Sequence, residues 1–297
     1  MDGKELYKQI ESEMDKSIVG YKDVVKLLTI GMLSSGNILL EGYPGIGKTT
    51  IAKNFAGLFG LNFSRIQLTP DTMPSEITGF YFYNQKKSEF ELRIGPIFTN
   101  VLLADEINRT PPKTQSALLE AMQERKITIE GNTMELPEPF IVIATKNPIE
   151  HEGVYNLPEA QLDRFMFKID LNYMGSDDEV EMLKRKRNRR FRETYNIISE
   201  RDLKLAMLKV KSVIISDKII YYIYNIISNS RNDSRLLYGA SPRAAEYLMT
   251  ASKACAYIEG RDYVIPDDIK YLAEYILTHR IKLKMEYEME GLDRKST

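Results

Sequence analysis

Residues 37–55 read NILLEGYPGIGKTTIAKNF. The stretch from Asn37 to Gly42 has the apolar run of a buried strand, and KTTIAKNFAGLFG from Lys48 has the pattern of a helix. The turn between them, GYPGIGKT over Gly42–Thr49, fits G-x-x-x-x-G-K-[ST] in the strand-to-helix context that gives the pattern meaning. Gly42, Gly45 and Gly47 let backbone N–H groups turn inward, and the following helix adds the positive end of its dipole, so the turn suits phosphates. Lys48 is placed to reach the β- and γ-phosphates of a nucleotide, and Thr49 to hold Mg²⁺. Chance alone gives such a match about once in a hundred chains of this length.

The complement to that turn is NVLLADEINR, Asn100–Arg109, where an apolar strand ends in two adjacent carboxylates, Asp105 and Glu106. Ligands of a parallel sheet lie beyond the carboxyl ends of its strands, which is where these acids fall. Asp105 can bind Mg²⁺ through water, which offsets its burial. Glu106 can orient or deprotonate a water that attacks the γ-phosphate. A pair that merely caps the strand in solvent is the competing reading, and the preceding phosphate loop disfavours it. Asn147, in IATKNP, ends the next apolar strand, where its amide can hold the attacking water; alone it reads as a turn residue before Pro148. Arg164, in LPEAQLDRF, follows a short helix and by itself reads as a solvated arginine.

The rest of the chain narrows the alternatives. Its 297 residues, 43% hydrophobic and 28% charged, exceed what one small core fills, so two domains are expected. A net charge of -1 gives no overall pull toward nucleic acid or membrane. The single cysteine, Cys255, excludes an internal disulfide framework, and His151 and His279 are too isolated to build a His/Cys metal site. The amino-terminal MDGKELYKQIESEMDKS lacks the apolar core of a signal peptide, and no 18-residue apolar run occurs. A soluble cytoplasmic protein with no membrane insertion is expected.

Strands and helices alternate through about residue 172, which predicts an α/β fold with a mostly parallel sheet covered on both faces. A helix is expected over 21–35, a strand at NFSRIQLT, and strands at FTNVLLA and FIVIAT around the helical PPKTQSALLEAMQER. Two β-hairpins interrupt the pattern: FYFYNQKKSEFELRIGP with the polar tip NQKKS, and KITIEGNTMEL with Gly131 and Asn132 at its turn. Helical periodicity near 176–192, 201–211, 216–229, 241–258 and 266–279 predicts a second, all-helical domain. The expected division is 1–172 and 173–297. IIYYIYNIIS and the segment around Cys255 read as helical core.

The chain resembles the MoxR family of AAA+ ATPases. The likeness is dense from Ser17 to Asp170, through TPDTMPSEITGF, GPIFTNVLLADEINRTPPKTQSALLEAMQER, ATKNP and EGVYNLPEAQLDRF, and returns at GASPRA in the helical part. It implies a P-loop NTPase (AAA+) core with two β-hairpin inserts, followed by an α-helical lid. It places Walker A over Gly42–Thr49, with Tyr43, Pro44 and Ile46 in the loop and Thr50 after it. Walker B falls at Asp105 and Glu106, sensor 1 at Asn147, an arginine finger at Arg164 and sensor 2 at Arg243. Val19 and Gly20 fall beside the adenine. Ile18–Tyr21, IVGY, departs from the family's valine-glycine-glutamine, so Tyr21 offers stacking in place of a hydrogen bond; His151 likewise replaces a glutamine, and both are read as lying outside the hydrolytic set.

The resemblance further implies Mg²⁺-dependent hydrolysis of ATP to ADP and phosphate. It implies a head-to-tail ring, usually of six subunits, in which each site borrows Arg164 from the next protomer. It also implies remodelling or maturation of client protein complexes, with a separately encoded von Willebrand factor A domain partner. Whether Arg243 serves its own nucleotide or a neighbour's stays open.

KRKRNRRFR, Lys184–Arg192, holds seven basic residues in nine. It reads first as a solvated helix face, partly balanced by the acids of SDDEVE, and second as a contact for nucleic acid or an acidic client. Three rivals to the main reading remain. A nucleic-acid motor related to AAA+ helicases is disfavoured by the absence of a basic bias, and the ATPase subunit of a metal chelatase would share the inserts. A nucleotide-gated scaffold without turnover is disfavoured by the paired Asp105 and Glu106.

Overall fold

The computed structural model describes residues 2–148, 154–188, 191, 196–290 and 293–294. Helices α1 (Gly3–Ser17) and α2 (Lys22–Leu33) lead into β1 (Ile38–Gly42), α3 (Lys48–Gly57) and β2 (Phe63–Gln67). A short α4 (Pro74–Thr78) opens the hairpin β3 (Gly79–Asn84) and β4 (Glu89–Ile94). β5 (Val101–Asp105) is followed by a 3-10 turn (Ile107–Arg109), α5 (Pro112–Glu124), the hairpin β6 (Lys126–Ile129) and β7 (Asn132–Glu135), and β8 (Ile141–Lys146). A one-turn α6 (Glu159–Leu162) precedes β9 (Phe167–Leu171). Then come α7 (Ser176–Arg187), α8 (Glu200–Ser212), α9 (Asp217–Asn232), β10 (Leu236–Tyr238), α10 (Pro242–Ile258), α11 (Pro266–Leu277), β11 (Lys282–Leu283) and α12 (Met285–Met289).

Five strands form one parallel sheet in the order β2-β5-β8-β1-β9. Its three central strands, β5, β8 and β1, are apolar at nearly every position because both faces are covered, and the two-residue period sorts their side chains between two cores. Ile38 and Leu40 of β1, Val101 and Leu103 of β5, and Ile141 and Ile143 of β8 join the core that holds α1, α2 and α3. Leu39, Leu102, Ala104, Val142 and Ala144 join the other, with Leu118, Leu119 and Met122 of α5. Both expected hairpins stand outside the sheet as separate two-stranded ribbons.

The amino-terminal segment, read from sequence only as lacking a signal peptide's apolar core, contains helix α1. Leu6, Ile10 and Met14 recur every fourth residue and are buried, each worth about 1.5–3 kcal/mol of hydrophobic stabilisation. A Cβ on Gly3 would overlap the carbonyl of Tyr257, so α1 lies close against the end of α10. The core on that side runs unbroken from α1 and α2 into Leu248 and Leu272 of the carboxyl-terminal helices. That carboxyl-terminal part is helical as expected, with one small addition: β10 pairs antiparallel with β11.

Candidate active site

β1 and β5 finish at the same edge of the sheet, in Gly42 and Asp105. Gly42 is not in an unusual conformation; a Cβ there would stand 2.7 Å from the carbonyl oxygen of Leu171, so close packing selects glycine. Gly45 and Gly47 differ, with φ of +83° and +93° and nothing within 4 Å of a built Cβ, so backbone geometry alone selects glycine. Gly47 stands at the N-terminal cap of α3, and Lys48, Thr49 and Thr50 form its first turn, where N–H groups lack partners within the helix. The Lys48 ammonium folds back along the turn and donates to the carbonyls of Gly42 and Tyr43, the latter at 3.0 Å.

Asp105 is buried, and three side chains with four donor atoms compensate its charge. Thr49 Oγ1 donates to Oδ2 at 3.0 Å, Thr145 Oγ1 to Oδ1 at 2.8 Å, and the Arg65 guanidinium to Oδ2 through Nε at 2.9 Å and Nη2 at 2.7 Å. A hydroxyl and a carboxylate side by side at this edge are the hard oxygen donors that Mg²⁺ prefers, so the residues fit that ion. Glu106 follows in the left-handed region, φ 59°, a conformation that costs an ordinary residue roughly 1–2 kcal/mol. Its N–H donates to Thr145 Oγ1 at 2.9 Å, and its Oε2 accepts from Gln67 Nε2 at 2.8 Å and pairs with Arg109 Nε at 3.0 Å. Thr145 therefore accepts from one residue of the acidic pair and donates to the other, which sets their mutual orientation. Asn147 is buried just past β8, and Asn108 Nδ2 holds its carbonyl at 3.2 Å.

A cavity of about 620 Å³ opens beside the glycine turn. Val19, Tyr21, Gly47, Thr50, Met174 and Met182 line it, a mixture of apolar wall and loop backbone suited to a base next to phosphates. Gly20 stands behind this wall, where a Cβ would come 3.0 Å from Asp178 Oδ2. The Tyr21 hydroxyl, whose pKa burial raises, is engaged rather than free for ligand. It donates toward the carbonyls of Ile46 at 3.3 Å and Asn172 at 3.2 Å, tying the loop to the segment after β9. Tyr43 stacks on Tyr173 with ring centroids 5.2 Å apart.

Arg164 and Arg243 lie elsewhere. Arg164 Nη1 donates to the carbonyl of Leu119 in α5 at 3.0 Å. Arg243, in the first turn of α10, pairs with Asp163 at 3.1 Å. Neither lines the cavity beside the glycine turn.

The profile of the ATPase family associated with various cellular activities (AAA) matches residues 37–167, and that of the AAA lid domain matches residues 228–297. Protein YeaC of Bacillus subtilis, itself uncharacterized, is 45% identical over 284 residues, 95% of this chain and 89% of its own length. Chaperone MoxR1 of Mycobacterium tuberculosis is 42% identical over 280 residues, 91% of this chain and 74% of its own. The chain belongs to the MoxR family of AAA+ ATPases. The crystal structure of a candidate ATPase from Cytophaga hutchinsonii superposes with a TM-score of 0.90 at 43% identity, over 98% of this chain and 92% of that one.

Several residues around this MoxR site escaped the sequence reading. Arg65 and Gln67 are two apart at the end of β2, and the β2–β5 register sets Gln67 beside Asp105; alternation of polar residues at a strand end was the available signal. Thr145 and Asp163 gave none, since each matters through contacts made across the fold. Of the basic run, Arg185 pairs with Glu181 at 2.9 Å and with Asp15 at 3.5 Å, and Lys186 lines the cavity. Arg189, Arg190 and Arg192, like His151, lie outside the described residues. Cys255 is buried, and burial, with Asp268 beside it, pushes its thiol up to about 12. Among the described residues no helix is long and apolar enough to cross a membrane.

Proposed function

We propose that this MoxR protein hydrolyses ATP to ADP and phosphate in a head-to-tail ring of six subunits and uses the cycle to remodel client protein complexes. The observation that carries the reading is the cluster of Thr49, Thr145, Asp105 and Glu106 beside the glycine turn, with hydrogen bonds of 2.8–3.0 Å linking its members. Backbone N–H groups of Gly42–Thr49 and the Lys48 ammonium bind the phosphates, while Val19, Gly20 and the adjoining cavity receive the adenine. Thr49 and Asp105 hold Mg²⁺, which when bound neutralises charge on the β- and γ-phosphates. Glu106 takes the proton of the attacking water, and Asn147 holds that water in line.

Arg164 and Arg243 complete a neighbour's site. Arg243 pairs with Asp163 and Arg164 bonds the carbonyl of Leu119, both outside the lining of their own nucleotide cavity, which supports assigning both to the adjoining nucleotide. We place the functional division at residues 172/173, the second part acting as a lid whose angle follows the nucleotide. A cytoplasmic location and a von Willebrand factor A domain partner belong to the same reading, by resemblance to the MoxR family.

Phosphate release by the purified chain with Mg²⁺, followed across protein concentration, tests it. Turnover per subunit is expected to rise as the protein self-associates, and Glu106→Gln to retain ATP binding with kcat lowered about 10²–10⁴-fold. Absence of phosphate release at concentrations where the chain is assembled would refute the proposal.

A further inference from the structure

Asp163 directly precedes Arg164 and gathers three donors from the helical part. Ser241 Oγ at 2.9 Å and Arg280 Nε at 2.7 Å share Oδ1, and Arg243 Nη1 takes Oδ2 at 3.1 Å. Ser241 caps α10, yet its hydroxyl makes no bond to its own helix and donates to Asp163 instead. The backbone around Arg164 is gripped from the same side. Arg280 donates to the carbonyls of Asp163 (2.7 Å), Phe165 and Met166 (3.3 Å), and the Tyr247 hydroxyl to that of Arg164 itself (3.0 Å). Arg280 is buried, with its guanidinium 4.9 Å from the centre of the Tyr247 ring. Four consecutive carbonyls, residues 163–166, are thus held by side chains of the helical part.

We propose that Asp163 is a positioning residue for the neighbouring protomer's nucleotide: it locks Arg164 and Arg243 into one block, so one subunit's lid sets where both guanidiniums stand in the next subunit's site. The inference rests on the reading above that Arg164 and Arg243 act across the ring. A displacement of about 1 Å of a catalytic group can cost about 10²-fold in rate, so a carboxylate that pairs with Arg243 and, through Arg280, braces the backbone that carries Arg164 has large leverage without touching the substrate. Loss of its charge would also leave Arg280 buried with its main ionic partner gone.

The test uses the full chain. Asp163→Asn is expected to lower kcat about 10–100-fold while affinity for a fluorescent ATP analogue stays within about twofold, a split that a general loss of folding would not give. Each variant is then mixed with Glu106→Gln, whose protomers cannot turn over but keep their own Asp163 and Arg164. Activity of Asp163→Asn protomers should be restored in the mixture in the same proportion as that of Arg164→Ala protomers. Restoration for Arg164→Ala but not for Asp163→Asn would show that Asp163 serves its own site and would overturn the proposal. Restoration for neither would mean that the shared-site reading itself fails, and the proposal with it. Should Asp163→Asn not assemble, Tyr247→Phe removes one bond to the Arg164 carbonyl and is expected to lower kcat about fivefold; no loss, or a loss that mixing does not restore, overturns the proposal equally.

Discussion

At the ends of β1 and β5 the chain gathers acids and serves them with donors from the core: Asp105 receives Thr49, Thr145 and Arg65, and Glu106 receives Gln67 and Arg109. At the junction with the helical part the signs are reversed, and a single acid, Asp163, receives Arg243, Arg280 and Ser241. One region offers phosphate-binding backbone and carboxylates, the other a surplus of guanidinium. The two regions are complementary in charge, yet their side chains do not meet in one cavity. A chain that carries both halves of a hydrolytic set on separate surfaces is best matched to a head-to-tail neighbour, which is the arrangement proposed above.

The largest effect should come from the cationic region. Arg164→Ala is expected to lower kcat by about 10³–10⁵-fold with ATP affinity little changed, measured as phosphate release beside an equilibrium binding titration. An equal loss in dilute, unassembled protein would break the comparison, because there the neighbour's guanidinium is already missing. Next in size is a pH effect confined to the junction. Burial, reinforced by Arg280, holds His279 well below its ordinary pKa, so the folded chain keeps the ring neutral while the unfolded chain protonates it near 6.5. The unfolded state then binds the extra proton, so this contribution is fully present above about pH 6.5 and is lost as pH falls, by about 1.4 kcal/mol per pH unit. Denaturant unfolding at pH 7.5, 6.5 and 5.5 should show that slope, and His279→Gln should flatten it. The smallest effect belongs to the acidic region: Tyr21→Phe removes the hydroxyl that ties Ile46 to Asn172 and should weaken ATP binding about fivefold or less, with kcat unchanged once saturated.

The same contrast governs how much could be read without a structure. Short apolar runs of buried strands, a glycine turn of fixed spacing and an acidic pair at a strand end are local patterns, so β1, β5, β8, both hairpins and Lys48, Thr49, Asp105 and Glu106 were legible as residues in their elements. The site's supporting contacts were not. Arg65 reaches Asp105 through strand register, Thr145 through a neighbouring strand, and Asp163 through docking of a helix 80 positions away in the chain. Helix α1 was overlooked for a different reason: its charged residues dominate the composition, and the apolar positions Leu6, Ile10 and Met14 are sparse although regular. The Tyr21 hydroxyl tether, which depends on the position of Asn172 after β9, was invisible in the local sequence.

The order of the strands has a consequence for how the protein is made. Among the described residues β1, which carries the glycine turn, pairs with β8 and β9, and Ile38 meets Ile143, 105 positions later. A ribosome adding about 5–20 residues per second leaves that strand without a partner for about 5–20 s. Of its Ile-Leu-Leu run, Ile38 and Leu40 share a core with α1 and α2, which precede β1 in the chain, whereas Leu39 joins the core of α5, which follows it.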